Sequence, residues 1–186
     1  EFRRPARQLW RWIKEYQINS PDDRKQNLFV QFFEDHHEYD NRISWSPLEL
    51  ARYLCEKKDT LDPEWKADTE KLFEFVLTHL ATTRPSGAVL AVEQDNDKRP
   101  WSGVASKLGG VAAVFYAAGG GEQYKEMAYR ALNWVSYCIA DDGCPNDMAM
   151  AGRTKRGGWQ EDAHTDVVHN YVDAMVAVPE LSLIHI

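Results

Sequence analysis

The sequence predicts an all-α protein assembled from repeated helical hairpins, and three observations carry that prediction. First, Trp45, Trp101 and Trp159 stand 56 and 58 positions apart, each in a polar, acidic loop that leads into a helix-like run. A period of that size is a mark of repeat architecture. Second, two long amphipathic segments align without gaps at an offset of 59. Trp65 matches Tyr124, Lys66 matches Lys125, Leu72-Phe73 matches Ala131-Leu132, and Phe75-Val76 matches Trp134-Val135. Third, the segments after the Trp loops are rich in small and apolar residues, as buried helices are. The expected order is outer helix, loop, inner helix, three times over, with Trp12-Ile13 holding the outer place in the first repeat.

Residues 6–17 carry Leu9, Trp10, Ile13 and Tyr16 at helical spacing, with Arg and Lys opposite. The polar cluster from Asn19 to Asp23 ends that helix. Residues 27–33 form a short apolar run, a turn of helix or an extended strand. Ser46 is expected to cap the next helix, with Pro47 at its first position and Glu49 closing a capping box. Asp62-Pro63 opens a third helix that runs to about Leu80. The β-branched run Ala88-Val-Leu-Ala-Val92 is strand-like. Ser102 is expected to cap a helix over residues 104–118. Its Gly109-Gly110 pair predicts a closely approaching neighbour, because glycine costs a helix about 1 kcal/mol. Gly119 ends it. Residues 122–140 form an amphipathic helix, and Asp162 is expected to cap a last helix reaching about Val178.

Composition bounds the function. A net charge of −7 over 186 residues argues against a nucleic-acid partner, which needs a basic face. The sequence contains no apolar run long enough to span a membrane. Cys55, Cys138 and Cys144 form no metal spacing. Cys55 and Cys138 fit buried thiols, with a Cys138–Cys144 pair as the lesser alternative. No HExxH, GxSxG, P-loop or dinucleotide fingerprint occurs, so neither metal nor cofactor is expected. The chain is expected to be one domain over residues 1–180, incomplete at both ends, with residues 181–186 as a non-native tail. Nothing in it settles localisation.

The Trp-bearing loops before inner helices, with the Asp62-Pro-Glu-Trp65 and Gly121-Glu-Gln-Tyr124 starts of outer ones, resemble the (α/α) toroid of the six-hairpin glycosidase-like superfamily. That superfamily includes glycoside hydrolases, polysaccharide lyases and sugar epimerases. The resemblance implies a partial toroid of about three hairpins, with a substrate cleft where the loops enter the inner helices. It also implies an oligosaccharide or polysaccharide substrate.

Such a rim would gather many carboxylates, and glycoside hydrolysis uses two: one donates a proton, and the other attacks or activates water. The expected catalytic set is Asp162 or Glu161 with Asp35, and His164 as a shuttle. Trp45, Trp101 and Trp159 would stack on sugar rings, with Gln160, His36, Glu93, Asp95 and Asp166 contacting hydroxyls. Plainer roles compete: Asp162 as a helix cap, the Trp residues as packing, and the Asp162, Asp166, Asn170, Asp173 stripe as a solvated face. One alternative is a lyase acting on uronic acids. It would use His164 or Tyr171 as base and Arg42, Arg99 or Arg153 to neutralise the carboxylate. Another is a non-catalytic carbohydrate-binding or scaffold domain.

Overall fold

The structure is a computed structural model that describes residues 3–18, 30–33, 38–95, 97–139, 143, 145 and 160–183. It is mostly helical. Its helices are α1 (Arg3–Ile13, continued as a π-turn to Ile18), α2 (Trp45–Lys57), α3 (Trp65–His79), α4 (Ser102–Ala117), α5 (Glu122–Ser136) and α6 (Gln160–Ala177). Two small antiparallel sheets accompany them. One pairs β1 (Val30–Phe33) with β2 (Glu38–Arg42), and the other orders β3 (Ala81–Thr83), β4 (Val89–Gln94) and β5 (Asp97–Pro100). The strand-like run at residues 88–92 is therefore a strand, and so is the end of the 27–33 run. Three consecutive residues of β4, Leu90, Ala91 and Val92, are fully buried, so both faces of the strand are covered.

The outer-helix register holds residue by residue. Trp65, Thr69, Leu72, Phe73 and Val76 are buried on α3, and Tyr124, Ala128, Ala131, Leu132 and Val135 are buried on α5, each pair 59 positions apart. Phe73 stacks on Phe115 with centroids 5.7 Å apart, and Tyr124 closes the same aromatic group at 4.9 Å from Phe73. Such contacts add about 1 kcal/mol each beyond burial.

Helix α4 lies at the centre, buried around its whole circumference and packed on α2, α5 and α6. Its glycines admit those neighbours. A Cβ on Gly109 would lie 2.9 Å from Leu132, and one on Gly110 would lie 2.9 Å from both Cβ and the carbonyl oxygen of Asn170. After α4, Gly119 turns the chain at φ +107° into α5, which returns antiparallel. Helix α6 then runs antiparallel to α5. Val167 shares a cluster with Ala105 and Val135 at one end, and Lys125 holds Glu180 at 2.7 Å at the other. So α4 and α6 are parallel. Helix α2 starts at the same end, since Trp45 and Glu49 in its first two turns meet Lys107 in the second turn of α4.

Several boundaries differ from expectation. Helix α2 begins at Trp45, so Ser46 and Pro47 lie inside its first turn and the capping box does not form; Ser44 is the cap, without a side-chain bond. Trp101, not Ser102, is the extended residue before α4. Helix α6 begins at Gln160, which puts Asp162 in its first turn and not at the cap. Helix α3 begins at Trp65 with Glu64 as its cap, so Asp62 and Pro63 lie before it; Asp62 accepts from the Glu64 N–H at 2.8 Å in the turn that leads in. Helix α5 stops at Ser136, short of residue 140. Beyond α6, Leu181 is buried in a 3₁₀ turn, so packing continues past residue 180.

Candidate functional site

Two of the Trp-bearing loops are joined edge to edge. The Ser44 N–H donates to the Glu93 carbonyl at 3.0 Å, Ile43 bridges Gln94, and the Asp95 N–H donates to the Arg42 carbonyl at 3.2 Å. The Arg42 guanidinium reaches the Asp95 carboxylate at 3.1 Å. Glu93 and Asp95 are half-buried on this ledge, and Trp45 and Trp101 follow it. The Arg99 guanidinium carbon lies 5.5 Å from the Trp101 ring centroid, and the Lys107 ammonium lies 4.0 Å from that of Trp45. Lys107 is buried and Arg99 exposed; a cation over an aromatic face is held more strongly where it is desolvated. Because α6 runs parallel to α4, its first turn lies at the same end as the start of α4.

Below the ledge, the three inner helices share a network of ionic and polar groups. Arg52 of α2 is buried, with its side chain 7% exposed. One of its Nη atoms donates to Asp173 and lies 3.1 Å from His169 Nε2; the other donates to Asn170. Its Nε stands 3.7 Å from Glu49, too long for a hydrogen bond, and has no hydrogen-bond partner among the described residues. Lys107 of α4, 6% exposed, pairs with Glu49. Asn170 donates to the Asp166 carbonyl at 2.6 Å and approaches Ser106 Oγ at 3.4 Å. Burial acts to raise the Glu49 carboxyl, but Lys107, Arg52 and His169 outweigh it and hold it below the ordinary value of 4.5. Glu49 is therefore held in its ionised form and is unsuited to donate a proton.

Glu49 and Asp173 are carboxylates on different helices, set on two sides of one guanidinium. Each keeps a water-facing edge, at 47% and 28% exposure. Sequence reasoning missed this pair. Glu49 looked like a capping residue, and Asp173 was one member of a polar stripe with no indicated neighbour. That stripe is no solvated face: Asn170 is fully buried, and Asp166 and Asp173 are half-buried.

Of the expected site residues, Trp45, Trp101, Glu93, Asp95 and Asp166 are placed as above. Asp35, His36 and Trp159 lie outside the described residues. Gln160, Glu161, Asp162 and His164 occupy the first turn and a half of α6, and their side chains lie outside what is described. Tyr171 is half-buried and donates to the Leu132 carbonyl between α5 and α6, and burial pushes its phenol up. A second carboxylate group, Asp62, Glu64 and Asp68, has oxygens close enough to share a cation. That position is filled by the Lys14 ammonium, at 2.9, 2.5 and 3.1 Å from the three. Cys55 and Cys138 are buried free thiols pushed up to about 12 by burial.

No family model, curated protein or solved structure matches this chain.

Proposed function

We propose that the chain is a carbohydrate-active domain, part of an (α/α) toroid, that cleaves glycosidic bonds at the end where its inner helices begin. The observation that carries the reading is the joining of the first two Trp loops beside inner helices that start at the same end and hold Glu49 and Asp173 around one buried guanidinium. Trp45 and Trp101 supply half-buried rings for sugar faces. Arg52 stands between the two carboxylates, its Nε 3.7 Å from Glu49 and an Nη on Asp173; hydrolysis uses a carboxylate pair about 5–10 Å apart. The ion pairs keep Glu49 charged, so the proton for the leaving oxygen comes from another group, and Glu161 and Asp162 in the first turn of α6 remain the candidates for that acid.

The test is release of reducing ends from a panel of plant and algal oligosaccharides. Asp162→Asn and Glu49→Gln are each expected to lower turnover by about 100-fold or more, the scale of a lost acid or base. Full activity in either variant removes that residue from the chemistry.

Elimination from a uronic acid is favoured by one feature, the Arg52 guanidinium beside His169 at 3.1 Å. Against it, the Tyr171 hydroxyl is committed to a backbone carbonyl between helices. An unsaturated, ultraviolet-absorbing product would decide for this second reading.

A further inference from the structure

Helix α4 is buried around its circumference, and of its 16 residues only Lys107 is charged. A lysine so placed is costly unless its ammonium is paired, because burial takes the charge out of water. A methionine would fill about the same volume without that cost.

The ammonium reaches α2 twice. It pairs with the Glu49 carboxylate, and it lies 4.0 Å from the centroid of the Trp45 ring. Trp45 and Glu49 are four residues apart on one face of α2, about 6 Å along its axis. One buried cation therefore sets the position of a ring and of a carboxylate that stand one above the other. An ammonium can do this because it is attracted by the ring quadrupole and by the carboxylate at once. The ring is half-buried and Glu49 is 47% exposed, so each keeps a part turned to solvent. The arrangement at Trp101 is looser, since Arg99 lies 5.5 Å from that ring and is itself exposed. The other charged groups around Glu49 are Arg52 of α2 and His169 of α6, with Asp173 bound to Arg52. Among the described residues, Lys107 is the cation that reaches both Trp45 and Glu49.

We propose that Lys107 is a positioning residue of the mouth, fixing the Trp45 ring and the Glu49 carboxylate so that their solvent-facing parts meet the same sugar unit. The inference rests on the carbohydrate reading above and adds a subsite to it: the unit that stacks on Trp45 is the one that Glu49 contacts.

Lys107→Met removes the charge and keeps the volume, and circular dichroism verifies its fold. Calorimetry in the cold, where turnover is slow, measures binding of the plant and algal oligosaccharide panel. Affinity is expected to fall by about tenfold in Lys107→Met. In a Trp45→Ala background the same change is expected to cost little more, because the two residues act through one contact. The Glu49 carboxyl, followed by carbon NMR through an acid titration, is expected to titrate higher in Lys107→Met than in wild type. Burial then acts on it with only Arg52 and His169 opposing. Lys107→Gln, which keeps a donor without the charge, is measured in the same way if the methionine variant does not fold. Unchanged affinity in the charge-removing variant overturns the proposal. So do losses that simply add in the double variant, as a general weakening of the fold would give, or a Glu49 titration that does not move. Each of those results leaves the sugar reading standing. A wild type that binds no member of the panel overturns the sugar reading, and the positioning role falls with it.

Discussion

Gly110 shows how a single missing methyl group sets the spacing of two inner helices. Its ideal Cβ would stand 2.9 Å from both Cβ and the carbonyl oxygen of Asn170, a backbone atom that cannot swing aside. Gly110→Ala is expected to destabilise by about 1–3 kcal/mol, the usual cost of overpacking, measured by urea denaturation. Stability equal to wild type would mean that α6 slides freely on α4. Arg52 holds the same contact from the polar side. Arg52→Ala would leave Asn170 buried and Asp173 and Glu49 without their shared cation. Breaking such a buried pair costs about 3–5 kcal/mol, and the partial exposure of both carboxylates brings the expectation toward the low end. Arg52→Met, which keeps volume and removes the charge, separates packing from electrostatics in the same experiment.

At the scale of elements, α1 is joined to the rest through Asp62, which accepts from the Glu64 N–H in the turn before α3 and binds Trp10 and Lys14. Burial acts to raise this carboxyl, but the Glu64 N–H, Lys14 and Trp10 hold it below its ordinary 3.8. A carboxyl depressed in the folded state stabilises above its unfolded pKa and loses that contribution as pH falls through the folded one. Stability is therefore expected to fall on acidification below about pH 4, with Asp62 and Glu49 both contributing. In Asp62→Asn that slope should flatten, and denaturant titrations across the acid range read it. A slope identical to wild type would remove the Asp62 contact from the account. The thiols of α2 and of the α5 end offer a separate measure of integrity. Cys55 and Cys138, raised to about 12, are expected to resist a disulfide reagent at neutral pH until the protein unfolds.

For the whole molecule, the prediction concerns the joined loops and the ring faces they present. Trp101→Ala is expected to weaken oligosaccharide binding by about tenfold with the melting temperature little changed, as seen by calorimetry. If the substitution lowers only the melting temperature, the ring is packing and the sugar reading loses one of its supports. The 56-residue Trp spacing indicated that these loops recur. It did not indicate that Ser44 and Asp95 bond across them, because a backbone pairing between residues about 50 positions apart leaves no mark in either local segment.

The helices, their amphipathic faces and the 59-residue register of α3 and α5 were legible in the sequence, because each depends on periodicity within one element. The need for a close neighbour at Gly109-Gly110 was legible as well, since glycine has few other reasons to sit in a helix interior. Helix starts were misplaced at α2 and α4 because capping signals compete with the burial of Pro47, Leu48, Ser102 and Val104, and burial is the larger energy. The pairing of Glu49 with Asp173 was decided only by tertiary structure. Charged residues 124 positions apart carry no local trace of one another until α2, α4 and α6 start at one end and Arg52, cut off from water, draws both carboxylates to itself.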